Sequence, residues 1–260
     1  MRRSRQTINE DKVGKEMILQ STMHQKQNID LSSAPWTMHE FFAGSGLVAY
    51  GLRGMFTPVW ANDISEQKAA VYEANFGCER FILDDIKNVK GADLPFAHLS
   101  WASFPCQDLS LAGSIGGIHA SRSGLVWEWL RVLDEMDDKP KILLLENVAG
   151  LLSTNGGDNM ALVERGYRCG AVLLNASHFI PQSRPRVFII AVQENCPVPD
   201  ELVGNGPCWL HNNVATQLGR ELPGWIWWYT KKPSRRTTAL KDIVEDDATF
   251  DKDDALRLVP

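Results

Sequence analysis

A cysteine and a glutamate each follow directly on an apolar run, and both side chains can take part in chemistry. Cys106 comes after Phe104-Pro105, at the end of the run His98–Ser103, and Glu146 comes directly after Ile142–Leu145. A thiolate is a strong nucleophile. Desolvation of a carboxylate at the end of a buried strand is unfavourable unless the group is paired or protonated. Glu146 at this position either caps the next helix or takes part in chemistry, and the nearby cysteine favours chemistry.

A second group of residues indicates a nucleoside-binding pocket. The segment Phe41–Gly46 leads from an apolar run into a helix, and Gly44 and Gly46 would let a ligand approach the backbone at the helix N-terminus. The dinucleotide fingerprint G-x-G-x-x-G is incomplete, because Ala49 stands at the third glycine position. We therefore expect a nucleoside cofactor that is smaller than a dinucleotide.

Acidic residues end the next two apolar runs. Asp63 closes the second run, where a carboxylate can accept hydrogen bonds from ribose hydroxyls. Asp84-Asp85-Ile86 follows the third run, and its carboxylates and apolar side chain suit the amino group and ring of adenine. A tight turn or a helix cap would explain any one of these features alone. Their order at successive strand ends favours a ligand site.

These residues require a sheet that brings the strand ends to one edge. We expect strands near Met38–Phe42, Pro58–Asn62, Arg80–Leu83, His98–Ser103, Lys141–Glu146, Ala171–Asn175 and Val187–Val192, with helices that begin near Leu47, Ser65, Ser123 and Asp158. The last two strands are joined by Ala176–Arg186, which is too short for a crossover helix. The pattern predicts an α/β fold with a doubly wound, mostly parallel sheet that ends in an antiparallel hairpin.

The composition of the whole chain sets further bounds. The 260 residues, 44% of them hydrophobic, can bury a sizeable core, and no apolar run approaches the ~20 residues of a membrane span. The five cysteines form no Cys-x-x-Cys pair or Cys/His cluster, so we expect neither a metal site nor a disulfide framework. A net charge of −5 requires any nucleic-acid-binding surface to be local. We expect a cytoplasmic protein without a membrane partner.

The motifs that carry these residues resemble those of one enzyme family. They are Phe42–Gly46, Phe104–Gln107, Glu146–Val148 and Pro181–Arg186, and they stand in the order found in cytosine-C5 DNA methyltransferases. The resemblance extends from about Met38 to Val192. It implies the S-adenosylmethionine-dependent methyltransferase fold, with double-stranded DNA as the substrate, in a bacterial or phage protein that associates with the nucleoid when bound to DNA.

The resemblance also implies roles for individual residues. Cys106 would add to C6 of a flipped cytosine, and Glu146 would donate a hydrogen bond or a proton at N3. Arg184 would hold the cytosine carbonyl or order Glu146, and Arg186 would support the site. The implied substrate-binding residues are Gln107, Ser110 and Asn147. The implied cofactor-binding residues are Phe42, Gly44, Gly46, Asp63, Ile64, Asp85, Ile86, Pro105 and Leu125.

The sequence departs from the family after these motifs. We divide it into a polar extension over residues 1–36, a catalytic and cofactor-binding domain over 37–195, and a linker or the start of a DNA-recognition region over 196–260. The target-recognition region and the last family motif are not recognisable here. A C-terminal partner subunit that carries the recognition region is therefore one expectation. The alternatives are a catalytically silent or partner-dependent subunit of a split methyltransferase, and a tRNA cytosine-C5 methyltransferase.

Overall fold

A computed structural model describes residues 36–105, 124–153, 162 and 165–244 of the chain. Cys106, Gln107 and Ser110 lie outside the described residues, as does the start predicted near Asp158 for the fourth helix. In the described part of the chain, no helix is long and apolar enough to cross a membrane.

The described chain is built on one sheet of seven strands. The strands are β1 (Trp36–Phe41), β2 (Phe56–Asp63), β3 (Phe81–Leu83), β4 (Leu99–Ala102), β5 (Ile142–Asn147), β6 (Tyr167–Asn175) and β7 (Pro185–Gln193). Their order in the sheet is β3-β2-β1-β4-β5-β7-β6. The pairs from β3 to β5 are parallel, whereas β7 runs antiparallel to both β5 and β6. The predicted fold, including the terminal hairpin, is confirmed.

Four α-helices of at least five residues lie within the described ranges. They are α1 (Leu47–Gly51), α2 (Glu66–Phe76), α3 (Leu125–Asp134) and α4 (Asn213–Glu221). The starts predicted near Leu47, Ser65 and Ser123 agree with α1, α2 and α3 within two residues. Gly77 ends α2 with a positive φ of 83°, a backbone angle that glycine adopts at little cost. Because the strands β1 to β5 are parallel, each connection between them must return the chain to the opposite end of the sheet.

The main core lies between α3 and one face of the sheet. Trp129 of α3 is fully buried, and its indole Nε1 donates a hydrogen bond of 3.0 Å to Ser100 Oγ on β4. Leu143 and Leu145 of β5 point to the same core, because alternate residues of a strand face the same side. Each such side chain contributes roughly 1.5–3 kcal/mol on burial. This packing holds the central strands β4 and β5, which precede the predicted nucleophile in the sequence and contain the predicted acid, respectively.

The chain beyond β7 packs on the hairpin. Ile226 N–H donates to the Cys169 carbonyl at 2.8 Å, and Leu173 N–H donates to the Leu210 carbonyl at 2.7 Å. The apolar residues of this contact are Val172, Val192, Leu210, Ile226 and Trp228. The segment therefore covers the outer strand β6, and the boundary that we placed at residue 196 stays a prediction.

Two details of the hairpin differ from our expectation. Strand β6 begins at Tyr167 rather than near Ala171, because the alternating Tyr167 and Cys169 are buried although polar Arg168 separates them. Strand β7 begins at Pro185, which places Arg186 on the strand instead of in the loop. The loop closes earlier because Asn175 Oδ1 accepts hydrogen bonds from the N–H groups of Ser177 and Arg184.

Candidate active site

The turn after β1 adopts a backbone conformation that its glycines permit. Gly44 and Gly46 have φ of 59° and 84°, and Phe42 is the non-glycine residue of the described chain with a positive φ, 56°. A Cβ on Gly46 would lie 2.3 Å from Phe76 Cε2, so this position excludes a side chain. The positive φ of Phe42 is a strained conformation for a residue with a side chain. Such strain costs about 1–3 kcal/mol and is concentrated at functional sites. The turn is therefore shaped for close approach rather than for stability.

Asp63 fixes the glycine turn to the end of β2. Its carboxylate is 5% exposed and accepts hydrogen bonds of 2.9 Å from the N–H groups of Gly44 and Ser65. Lys68 Nζ of α2 stands 3.8 Å from Asp63 Oδ2. The predicted ribose-binding carboxylate is thus held in place by two backbone donors, and its position at the strand end agrees with the prediction.

The end of β3 is held by a residue that the sequence reasoning missed. Asn62 is buried, and its Nδ2 donates to the carbonyls of Ile82 and Asp84 at 2.9 and 2.8 Å. Asp85 Oδ1 accepts from Lys87 N–H at 3.0 Å and begins the short turn that carries Ile86. Asn62 therefore positions Asp84 and Asp85 beside Asp63. The signal that could have found it is a polar residue within a buried strand.

A first cavity, of about 310 Å³, opens between these strand ends. Most of the predicted cofactor-binding residues line it: Phe42, Asp63, Ile64, Asp85, Ile86, Pro105 and Leu125. Gly44 lines the neighbouring cavity, and Gly46 lies behind the turn against Tyr72 and Phe76. The carboxylates can accept hydrogen bonds from ribose and base, and the apolar side chains beside them can pack against the base, so the pocket suits a nucleoside.

A second cavity, of about 450 Å³, contains the predicted acid. Arg186 Nε lies 2.9 Å from Glu146 Oε1, and the two side chains are 21% and 22% exposed. Arg184 also lines this cavity, but it is Arg186 that forms the ion pair with Glu146. Both roles that we gave Arg184 stay predictions.

Asn147 ties the acid segment to the nucleophile segment. Its side chain is buried, and Nδ2 donates to the Phe104 carbonyl at 3.3 Å while Oδ1 accepts from Val148 N–H at 2.8 Å. Phe104 stands two residues before Cys106. Asn147 therefore contacts the backbone just before the predicted nucleophile, and its own contact with substrate stays a prediction.

The two cavities share a wall at the carboxyl edge of the sheet. The residues that line both are Phe42, Lys68, Ser103 and Pro105. Trp101 Nε1 donates to Ser103 Oγ at 2.8 Å, which fixes the end of β4. Pro105 directly precedes Cys106 in the chain. A ligand in the first cavity and a ligand in the second would meet at Pro105, the residue before the predicted nucleophile in the sequence.

Glu40 is a buried acid beneath the glycine turn that the sequence reasoning did not single out. It is fully buried, and burial raises its pKa to about 8, although its Oε1 accepts a hydrogen bond from Ala49 N–H at 3.4 Å. Its Oε2 has no hydrogen-bond partner among the described residues. The raised pKa means that this carboxyl group is protonated over much of the neutral range.

A model of the C-5 cytosine-specific DNA methylase family matches residues 36–255. The chain belongs to this family. It is 35% identical over 178 residues to the type II methyltransferase M.Bsp6I of Bacillus sp., covering 62% of this chain and 56% of that protein. It is 32% identical over 217 residues to M.FnuDI of Fusobacterium nucleatum, covering 79% of this chain and 60% of that protein.

Solved structures agree with the methylase fold. The S. pombe Dnmt2 methyltransferase superposes with a TM-score of 0.54 at 25% identity, covering 64% of this chain and 54% of that one. A DNA modification methyltransferase from an E. coli prophage has a TM-score of 0.52 at 22% identity, covering 64% of this chain and 50% of that one. This methylase chain therefore spans about half the length of the relatives that it matches.

Proposed function

We propose that this methylase transfers a methyl group from S-adenosylmethionine to C5 of cytosine in DNA, through a covalent bond between Cys106 and C6. The observation that carries the proposal is the wall shared by the two cavities. One cavity has the carboxylates and apolar side chains for a nucleoside, the other has the Glu146–Arg186 pair, and both meet at Pro105, next to Cys106. A methyl donor and an acceptor base would be in contact there.

The first cavity fits the adenosine part of S-adenosylmethionine. Asp63 offers acceptors for the ribose hydroxyls, since the two backbone N–H groups leave carboxylate lone pairs free. Asp85 and Ile86 offer an acceptor and an apolar surface to adenine, and Phe42 and Leu125 complete the apolar lining. The cofactor, when bound, supplies an electrophilic methyl group. The protein's own part is to hold the nucleoside and to exclude water.

The second cavity fits cytosine and its activation. Addition of the Cys106 thiolate forms an S–C6 bond and moves the ring electrons toward N3, where Glu146 would donate a hydrogen bond or a proton. The bound cofactor would supply the methyl group to C5 and leave as S-adenosylhomocysteine. Removal of the C5 proton by a base, with cleavage of the S–C6 bond, would then return the thiolate. Arg186 would hold the Glu146 carboxyl group in place, and Arg184, which lines the cavity, would contact the carbonyl oxygen of the base.

The substrate and the partner follow from the same proposal. C5 of a stacked cytosine is inaccessible, so the base would have to leave the duplex to enter the second cavity, with Gln107 and Ser110 as predicted contacts. Relatives named as type II methyltransferases support DNA and a restriction–modification setting. Because those relatives are nearly twice as long as the matched part, the recognition of a DNA sequence would come from a further region or a C-terminal partner subunit.

The proposal can be tested by covalent trapping. In duplex DNA that contains 5-fluorocytosine, the fluorine at C5 cannot leave as a proton does. Incubation of the chain with this DNA and S-adenosylmethionine should therefore give a protein–DNA complex that is stable to denaturant. We expect this complex with the wild-type chain and not with Cys106→Ala. Excess unmodified duplex DNA should compete, whereas competition by tRNA alone would move the assignment to RNA.

Absence of the adduct from the chain alone, with its appearance after a C-terminal partner is added, would identify a split enzyme. Absence in both cases would overturn the proposed activity.

A further inference from the structure

Lys68 occupies an unusual place between the two cavities. It is the charged residue among the four that line both of them, since Phe42, Ser103 and Pro105 are uncharged. Its stem runs over the glycine turn, where Cδ lies 4.0 Å from the position that a Cβ on Gly44 would take. The side chain is 57% exposed, whereas that of Asp63 beside it is 6% exposed. The Lys68 side chain is therefore accessible to a ligand as well as close to Asp63.

The contact between Lys68 and Asp63 leaves room for a second anion. The two groups are 3.8 Å apart, which is longer than a direct hydrogen bond, and Asp63 already accepts two backbone N–H groups. An ammonium group has three donors. Within the described lining of the first cavity, Asp63, Asp84 and Asp85 are negative and Lys68 is the cation. An anionic ligand group in this cavity would find its favourable partner at Lys68.

We propose that Lys68 binds the carboxylate of the amino-acid part of the cofactor. It would so select a nucleoside that carries this amino-acid part over one that lacks it. The inference rests on the proposed function. A nucleoside with its ribose at Asp63 and its adenine at Ile86 must extend its 5′ substituent past the shared wall to reach the cavity of Glu146. That path passes Lys68, and the carboxylate is the one anionic group of the substituent.

A pair of ligands tests this assignment. S-Adenosylhomocysteine carries the carboxylate, whereas 5′-methylthioadenosine has the same adenosine and sulfur without the amino-acid part. We expect Lys68→Met to raise the Kd of S-adenosylhomocysteine about two- to fivefold, as for an exposed ion pair, and to leave the Kd of 5′-methylthioadenosine nearly unchanged. Isothermal titration calorimetry on the full chain measures both. The expected difference should shrink as salt is raised.

Controls separate a carboxylate contact from other effects. Lys68→Arg keeps the positive charge and should keep most of the affinity for S-adenosylhomocysteine. Lys232→Met removes another exposed lysine that lines neither cavity and should change neither Kd. If Lys68 acted only by neutralising Asp63, both ligands would weaken equally in Lys68→Met, and the assignment would be overturned.

The two proposals fail in different ways. Binding of S-adenosylhomocysteine by the wild type with an unchanged Kd in Lys68→Met would overturn the role of Lys68 alone. If the wild type binds neither ligand, the cofactor of the proposed function is wrong and the role of Lys68 falls with it.

Discussion

Two arginines that stand one residue apart have different surroundings. Arg186 lies on β7 and pairs with Glu146 at 2.9 Å, whereas Arg184 is exposed and its backbone N–H is what holds the loop, through Asn175. The side chain of Arg184 is therefore available to a ligand in the second cavity. We therefore propose that Arg186 orders Glu146 and that Arg184 contacts the base.

Arg186→Ala should lower kcat about 100-fold and leave KM for DNA within a fewfold, because it removes the ion-pair partner of Glu146, which the proposed mechanism uses as the acid at the ring. Arg184→Ala should mainly raise KM, since it would remove the contact with the base that we propose for Arg184. Steady-state methylation of duplex DNA with labelled S-adenosylmethionine measures both, in whatever assembly proves active. Equal changes of kcat in the two variants would contradict the division of roles.

Glu40 makes the stability of the fold depend on pH. Its folded pKa of about 8 is above the ordinary value of 4.5 for a glutamate, so the folded state holds a proton that the unfolded state loses. The contribution is complete below the unfolded pKa and is lost as pH rises toward 8. Glu40→Gln cannot ionise. We expect the free energy of unfolding of Glu40→Gln, relative to wild type, to rise by about 2–4 kcal/mol from pH 4.5 to pH 8.5.

Urea denaturation at the two pH values measures this change. His39 has a pKa lowered by burial to about 4 and titrates in both proteins, so its effect cancels in the comparison. A difference between variant and wild type that stays constant with pH would show that Glu40 is ionised in the folded protein.

Much of the candidate site could be predicted, because acids at the ends of apolar runs are visible in sequence. Asp63, Asp85 and Glu146 all line the cavities where they were expected. Asn62 and Lys68 were missed, because their roles depend on which carbonyls and cavities lie near them in space. Cys106 stays a prediction outside the described residues.

At the scale of elements, the strands were predictable where one apolar run coincides with one strand. This holds for β4 and β5, in which every residue is buried or partly buried. It fails at the start of β6, where Arg168 and Gly170 interrupt the apolar pattern although the backbone is fully paired with β7. The reason for Gly170 lies outside the strand, since a Cβ there would stand 2.0 Å from the Ile226 carbonyl oxygen.

Gly170→Ala should therefore destabilise the protein by about 1–3 kcal/mol, because the chain after β7 must move away from β6. Gly206→Ala is a matched control, since a Cβ at Gly206 meets no atom within 4 Å. Its effect should be within about 0.5 kcal/mol. Urea unfolding followed by tryptophan fluorescence measures both. Similar unfolding midpoints for the two variants would show that the contact with Ile226 is not tight.

At the scale of the whole molecule, residues 196–244 belong to the same packed body as the sheet. They supply Leu210, Ile226 and Trp228 to a cluster with Val172 and Val192 of the hairpin. Each large apolar side chain contributes about 1.5–3 kcal/mol on burial, and the stability of a whole domain is only about 5–15 kcal/mol.

A chain that ends at residue 195 should therefore melt at least ~10 °C lower than one that ends at residue 244, or precipitate on expression. Thermal melting of the two lengths by circular dichroism tests this. Equal melting temperatures would show that the segment is an independent appendage, as its predicted role as a linker requires.

Residues 196–244 also form backbone hydrogen bonds with the outer strand β6. Strand β6 would otherwise present unpaired backbone groups, but Cys169 and Leu173 are bonded to Ile226 and Leu210. At the opposite edge, β3 is only three residues long. Open edges are the templates on which foreign strands add and aggregates grow. With one edge occupied and the other too short to extend, further protein would join this sheet at its face or its loops, and not by continuing its ladder.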